Sequence, residues 1–129
     1  IWQNGEAFMM PDTIRMNFAL PYSQAVELNG TLYVSGQLPV DPATGKMAEG
    51  IEAQTRRSLD NIGAILREAG LTHADIVKTT VLLDDIKNFA AMNAVYAEYF
   101  PEGKPARVCY QVAALPMGAS VEIDAVAGK

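Results

Sequence analysis

The sequence holds one cysteine and one histidine among 129 residues, and it has no long apolar run. The lone Cys109 excludes an internal disulfide and fits a reducing compartment. Together with the lone His73 it leaves too few soft ligands for a structural zinc site of the usual kind within one chain. No apolar stretch approaches the roughly 20 residues that a membrane span needs. No cationic segment leads into an apolar one as an export signal would, so a cytoplasmic protein is expected. Basic charge is also scarce: 10 Lys and Arg stand against 15 Asp and Glu, for a net −5. A polyanion binder concentrates the opposite sign on one face, so nucleic acid is not an expected partner. The adjacent basic pair Arg56-Arg57 reads as a solvated helix face.

Most catalytic motifs are missing as well. There is no G-x-G-x-x-G, no G-x-S-x-G and no H-E-x-x-H. Gly45-Lys46 has the end of a phosphate loop, but Val40 stands where its first glycine belongs and Met47 where Ser or Thr belongs. His73 falls in an expected surface turn and reads as a solvent-facing residue, which argues against a triad. Cys109, with no histidine signal beside it, reads as an inert thiol rather than a nucleophile.

What is present is the mix of one globular domain spanning residues 1–129, half apolar and 19% charged. Residues 1–19 carry the weakest signal, with a short strand expected at Arg15-Met16-Asn17-Phe18. Residues 23–28 and 31–35 are β-rich runs joined by Asn29-Gly30, a strong hairpin signal. Turn chemistry fills residues 39–45. Residues 51–69 predict a helix whose inward stripe is Leu59, Ile62, Leu66 and Ala69, closed by Gly70. Thr72-His73-Ala74-Asp75 predicts a capped turn. Residues 76–83 form a β-branched run, expected as a strand buried on both faces. Residues 88–100 predict a second helix with Phe89, Met92, Tyr96 and Tyr99 on its apolar stripe. Residues 107–112 and 121–127 predict two closing strands. The order implies an α+β fold, a mixed sheet with both helices on one face. The other face is left bare, so self-association is expected.

The closing strands segregate residue types by alternation. Arg107, Cys109 and Gln111 point opposite to Val108, Tyr110 and Val112; Glu122 and Asp124 point opposite to Val121, Ile123 and Ala125. Spacing alone favours solvated or paired edge charges. Arg107, just after Pro105, nevertheless has the planar fork that holds a carboxylate bidentately.

Several stretches resemble the RidA (YjgF) family: Pro21-Tyr22-Ser23-Gln24-Ala25-Val26, residues 33–42 (YVSGQLPVDP), Val77-Lys78-Thr79-Thr80-Val81, residues 89–96 (FAAMNAVY), Pro105-Ala106-Arg107-Val108-Cys109, and Leu115-Pro116 followed by Val121-Glu122-Ile123. The likeness runs in order over about residues 21–127. It implies a chorismate-mutase-like fold, assembled as a homotrimer with sites between subunits. It also implies cofactor-free and metal-free hydrolysis of small 2-imino or 2-enamino acids, 2-iminopropanoate and 2-iminobutanoate, to 2-oxo acids and ammonia. Carried over by position, Arg107 binds the substrate carboxylate and Glu122 positions or activates water. Tyr22, Ser35 and Asn93 line the pocket, and Cys109 contributes through its backbone. The sequence departs from the family at residues 1–19, at Leu20 in place of a common glycine, at Gln111 in place of glutamate and at Met117 in place of lysine. Those departures leave the preferred side chain open. The resemblance admits three other readings: a deaminase of another enamine such as an aminomuconate or aminoacrylate derivative, a non-catalytic ligand sensor, and a ribonuclease. The negative charge and missing histidine pair argue against the last.

Overall fold

The computed structural model describes residues 21–129, together with the backbone pairing of two short strands, β1 (Trp2–Gln3) and β2 (Glu6–Ala7). The strand expected at residues 15–18 lies outside the described residues. Strands β3 (Ala25–Leu28) and β4 (Thr31–Gln37) form the expected hairpin. Its turn residues Asn29 and Gly30 have φ of 52° and 83°, the positive pair that a two-residue primed turn requires. Helix α1 (Ile51–Glu68), strand β5 (Ile76–Leu83), helix α2 (Phe89–Tyr99), and strands β6 (Ala106–Gln111) and β7 (Val121–Gly128) follow. The sheet order is β2-β1-β3-β4-β7-β5-β6. β5 and β6 run parallel because α2 carries the chain back between them, whereas β7 enters antiparallel between β4 and β5.

Alternation on the strands decides the layers. Val121, Ile123, Ala125 and Ala127 of β7, with Thr79, Val81 and Leu83 of β5, are buried in one core with Leu59, Ile62, Ile65 and Leu66 of α1 and Met92 of α2. Both helices therefore cover one face. The expected double burial of β5 is not met in one chain, because no layer of the described residues covers the other side, where Thr80 and Leu82 are only half-buried. That open face exposes Tyr33, Val108 and Tyr110.

Helix α1 ends as its glycine predicts. Gly70 has φ +74°, its N–H reaches the Arg67 carbonyl at 3.0 Å, and the Leu71 N–H reaches the Leu66 carbonyl at 2.9 Å. The buried stripe is wider than the apolar pattern implied, since Ser58 and Asn61 are also buried. Ser58 Oγ donates to the Gln37 carbonyl at 3.0 Å, and Asn61 Nδ2 donates to the carbonyls of Leu38 at 3.2 Å and Val40 at 2.9 Å. These bonds satisfy the backbone of the turn leaving β4 and fix where that strand stops.

His73 is not the solvent-facing residue expected. Its Nε2 lies 2.8 Å from the Leu59 carbonyl, and its ring meets Tyr99 edge-on at 5.1 Å between centroids. A carbonyl only accepts, so Nε2 carries the proton. The ring rests on Gly63, where an added Cβ would stand 2.5 Å from His73 Cε1. Although alanine favours a helix over glycine by about 1 kcal/mol, Gly63→Ala must push this ring off Leu59 and Tyr99. We expect net destabilisation of about 1–3 kcal/mol in urea unfolding; a rise in stability would contradict the packing described.

Candidate active site

Pro105 opens the last turn before β6, and the register of β6 with β5 sets Arg107 beside Thr79 on the helix-covered side. Helix α2 crosses above it. The spacing of Phe89, Asn93 and Tyr96, four and then three residues apart, puts all three on one stripe over the arginine. Arg107 Nη1 donates to Asn93 Oδ1 at 2.7 Å. The guanidinium carbon lies 4.8 Å from the Tyr96 ring centroid and 5.5 Å from that of Phe89. Two aromatic faces and one amide thus hold the group, while Nε and Nη2 remain as a fork for a ligand. The guanidinium borders an open concavity of about 310 Å³ at the sheet edge, shared with Asn93, Tyr96, Phe100 and Lys104.

Cys109, two residues on, shares this side and is half-buried against the core. Burial pushes its thiol up, opposed by the Arg107 charge, so it is protonated and unreactive at neutral pH.

Glu122 faces the other way. It alternates with the buried Val121 and Ile123 and lies against Gly36, where an added Cβ would come within 2.6 Å of Glu122 Oε1. Among the described residues its carboxylate makes no hydrogen bond. Burial raises its pKa above the ordinary carboxylate value, and Asp124 adds to the shift. Asp124 itself is committed: its Oδ1 accepts the Thr80 N–H at 2.9 Å. Ser35, preceding Gly36, donates its hydroxyl to the Ser23 carbonyl at 2.6 Å and ties down the segment carrying Tyr22. Tyr22 is exposed, with a hydroxyl that bonds to none of the described residues.

The site residues thus fall into two groups. Arg107, Asn93 and Cys109 lie beneath α2, whereas Glu122 lies on the open face with the Ser35–Tyr22 segment tied beside it. One chain does not bring Arg107 and Glu122 together, because a sheet stands between them. Among the described residues, no three His, Cys, Asp or Glu side chains gather as a metal cage would require. The sequence reading placed Phe89 and Tyr96 in the core and missed their hold on Arg107. The available signal was an asparagine set within their aromatic stripe.

Gly36→Ala tests the Glu122 contact. The clash is with the end of a flexible side chain, so Tm should move by no more than about 4–8 °C, the shift of about 1 kcal/mol in a small domain. Displacing the carboxylate by about 1 Å should cost on the order of 10²-fold in any activity it supports. Equal losses of stability and activity would contradict this.

These features define an α+β protein, one mixed sheet beneath two helices, with a held arginine and, on the opposite sheet face, a carboxylate that bonds to none of the described residues. Residues 14–129 match the family model described as endoribonuclease L-PSP. The chain is 50% identical over 110 residues to a RutC family protein of Pyrococcus abyssi, covering 84% of this chain and 87% of the relative. It is 48% identical over 108 residues to the human 2-iminobutanoate/2-iminopropanoate deaminase, covering 83% and 79%. Among solved structures, the Escherichia coli YjgF gene product superposes with a TM-score of 0.87 at 41% identity, covering 93% of this chain and 96% of that one. E. coli TdcF with bound serine superposes with a TM-score of 0.85 at 40% identity, covering 95% and 99%. The chain belongs to the endoribonuclease L-PSP family, also called RidA or YjgF.

Proposed function

We propose that this protein hydrolyses small 2-imino acids, of the 2-iminopropanoate and 2-iminobutanoate class, to 2-oxo acids and ammonia. The observation that carries the reading is the Arg107 guanidinium, held by Asn93 and two rings with its outer fork open to a carboxylate. The deaminase names of relatives near 50% identity support it, and so does the serine bound to a structural neighbour, an amino acid with a small side chain.

In this reading Arg107 pairs with the substrate carboxylate and fixes the plane of the C=N bond. Water attacks the imine carbon while Glu122 accepts one of its protons. Glu122 returns that proton to the nitrogen to give the carbinolamine, then takes the hydroxyl proton and passes it to the nitrogen as the C–N bond breaks, so both protons of the water leave with ammonia. One water is consumed, nothing is oxidised, and no cofactor is required by the balance. Because Arg107 and Glu122 lie on opposite faces, the site takes Arg107 and Asn93 from one copy, and Glu122, Ser35 and Tyr22 from a second. The exposed Tyr33, Val108 and Tyr110 are the surface on which copies meet, as a homotrimer.

The test is a coupled assay. Threonine or serine dehydratase supplies imine, semicarbazide competes for it, and 2-oxo acid release is followed with and without this protein. Accelerated release supports the proposal. Binding of 2-oxobutanoate without acceleration would replace it with a ligand-sensing role.

A further inference from the structure

Arg107 is held by more than its direct contacts. Tyr96, whose ring lies against the guanidinium, has its hydroxyl 2.7 Å from Thr79 Oγ1, and both residues are buried. Thr79 is the register partner of Arg107 on the neighbouring strand. The hydroxyl pair therefore ties the ring to the strand beside the one that carries the arginine. Neither hydroxyl has another partner among the described residues. Both sit where an apolar pair of the same shape would pack equally well, so stability alone does not call for them.

We infer that Tyr96 and Thr79 are positioning residues that set the plane and depth of the Arg107 guanidinium, and through it the affinity for the substrate carboxylate. The inference rests on the reading of Arg107 as the carboxylate holder. The geometry gives each part a task. Asn93 takes the inner Nη1 and so fixes rotation of the fork about its long axis. The Tyr96 ring, 4.8 Å away, fixes its height above the sheet. Thr79 keeps that ring from swinging toward the concavity it borders. Burial raises the Tyr96 phenol above its ordinary value against the opposing pull of Thr79 and Arg107, so the ring stays neutral and its face remains available to the cation. The pairing is also selective for arginine, because a lysine ammonium has no plane for the ring to set.

The experiment measures KM and kcat for imine hydrolysis, and 2-oxobutanoate affinity by titration calorimetry. The variants are Tyr96→Phe, Thr79→Val and Tyr96→Leu, in the native and Arg107→Lys backgrounds. Tyr96→Phe and Thr79→Val keep the ring and the volume, so each should raise KM about 3–10-fold with kcat changed less than about twofold. Tyr96→Leu should weaken 2-oxobutanoate about tenfold or more in the native chain but less than about twofold in Arg107→Lys, because coupled residues are not additive. Equal losses in both backgrounds would show that Tyr96 acts on the fold and not through Arg107, and would overturn the inference. Should Tyr96→Leu fail to fold, unchanged KM in Tyr96→Phe and Thr79→Val would overturn it as well. Native affinity in Arg107→Lys alone would instead remove the Arg107 reading, and this inference with it.

Discussion

Arg107→Ala is expected to reduce 2-oxo acid release in the trapped assay to the uncatalysed rate. A charge-assisted hydrogen bond is worth about 1.5–3 kcal/mol, and the fork makes two. The loss in kcat/KM is therefore on the order of 10²–10⁴-fold. The fold should survive, since the side chain is only half-buried and, among the described residues, its one hydrogen bond is to Asn93. Arg107→Lys should also be severely impaired, because an ammonium cannot make the bidentate pair. Native rates in the lysine variant would remove the planar-fork argument while leaving the family membership untouched.

Glu122→Gln should lose about 10²–10⁴-fold if this carboxylate is the general base. The amide keeps the shape and one accepting oxygen, so a residue that only positions water would retain much of the rate. Asp124→Asn should matter little, because its amide oxygen can still accept the Thr80 N–H. The pH profile distinguishes the roles again. A base must be ionised, and burial raises Glu122, so the acid limb of kcat/KM should lie above the ordinary carboxylate value of about 4.3 and vanish in Glu122→Gln. The effect on stability has the opposite sense. With the folded-state value raised, this carboxyl stabilises only below its ordinary range, and that contribution is lost as pH rises through the raised value. At neutral pH, Glu122→Gln should be at least as stable as the native chain. A marked loss of stability there, or a large activity loss in Asp124→Asn alone, would show that the wrong carboxylate has been assigned.

Much of this is legible in the sequence, and the exceptions share a physical origin. Periodicity located both helices and β7 because each buries one face, alternation located β6, and Asn29-Gly30 and Gly70 marked turns that only positive φ permits. Alternation correctly set Arg107 opposite Val108, and Glu122 opposite Ile123. It did not reveal that the two charges lie on opposite faces of one sheet, because strand order and direction arise from pairing and not from local pattern. The inward stripe of α1 named only apolar residues, and Ser58 and Asn61 are buried beside it. Their burial follows from backbone carbonyls in a distant turn, which no local window contains. His73 was misjudged for the same reason: its partners, Leu59, Gly63 and Tyr99, come from two other elements.

The division of the site between two copies is the central claim, and subunit complementation tests it most directly. Arg107→Ala and Glu122→Gln are each purified, mixed in equal amounts, briefly unfolded and refolded together. Every site in a mixed assembly draws its arginine from one copy and its carboxylate from the next. Random mixing should then restore about a quarter of the native activity from two inactive parents. Recovery near that level is the predicted result; no recovery, in mixtures shown by mass spectrometry to contain both chains, would contradict a site shared between copies.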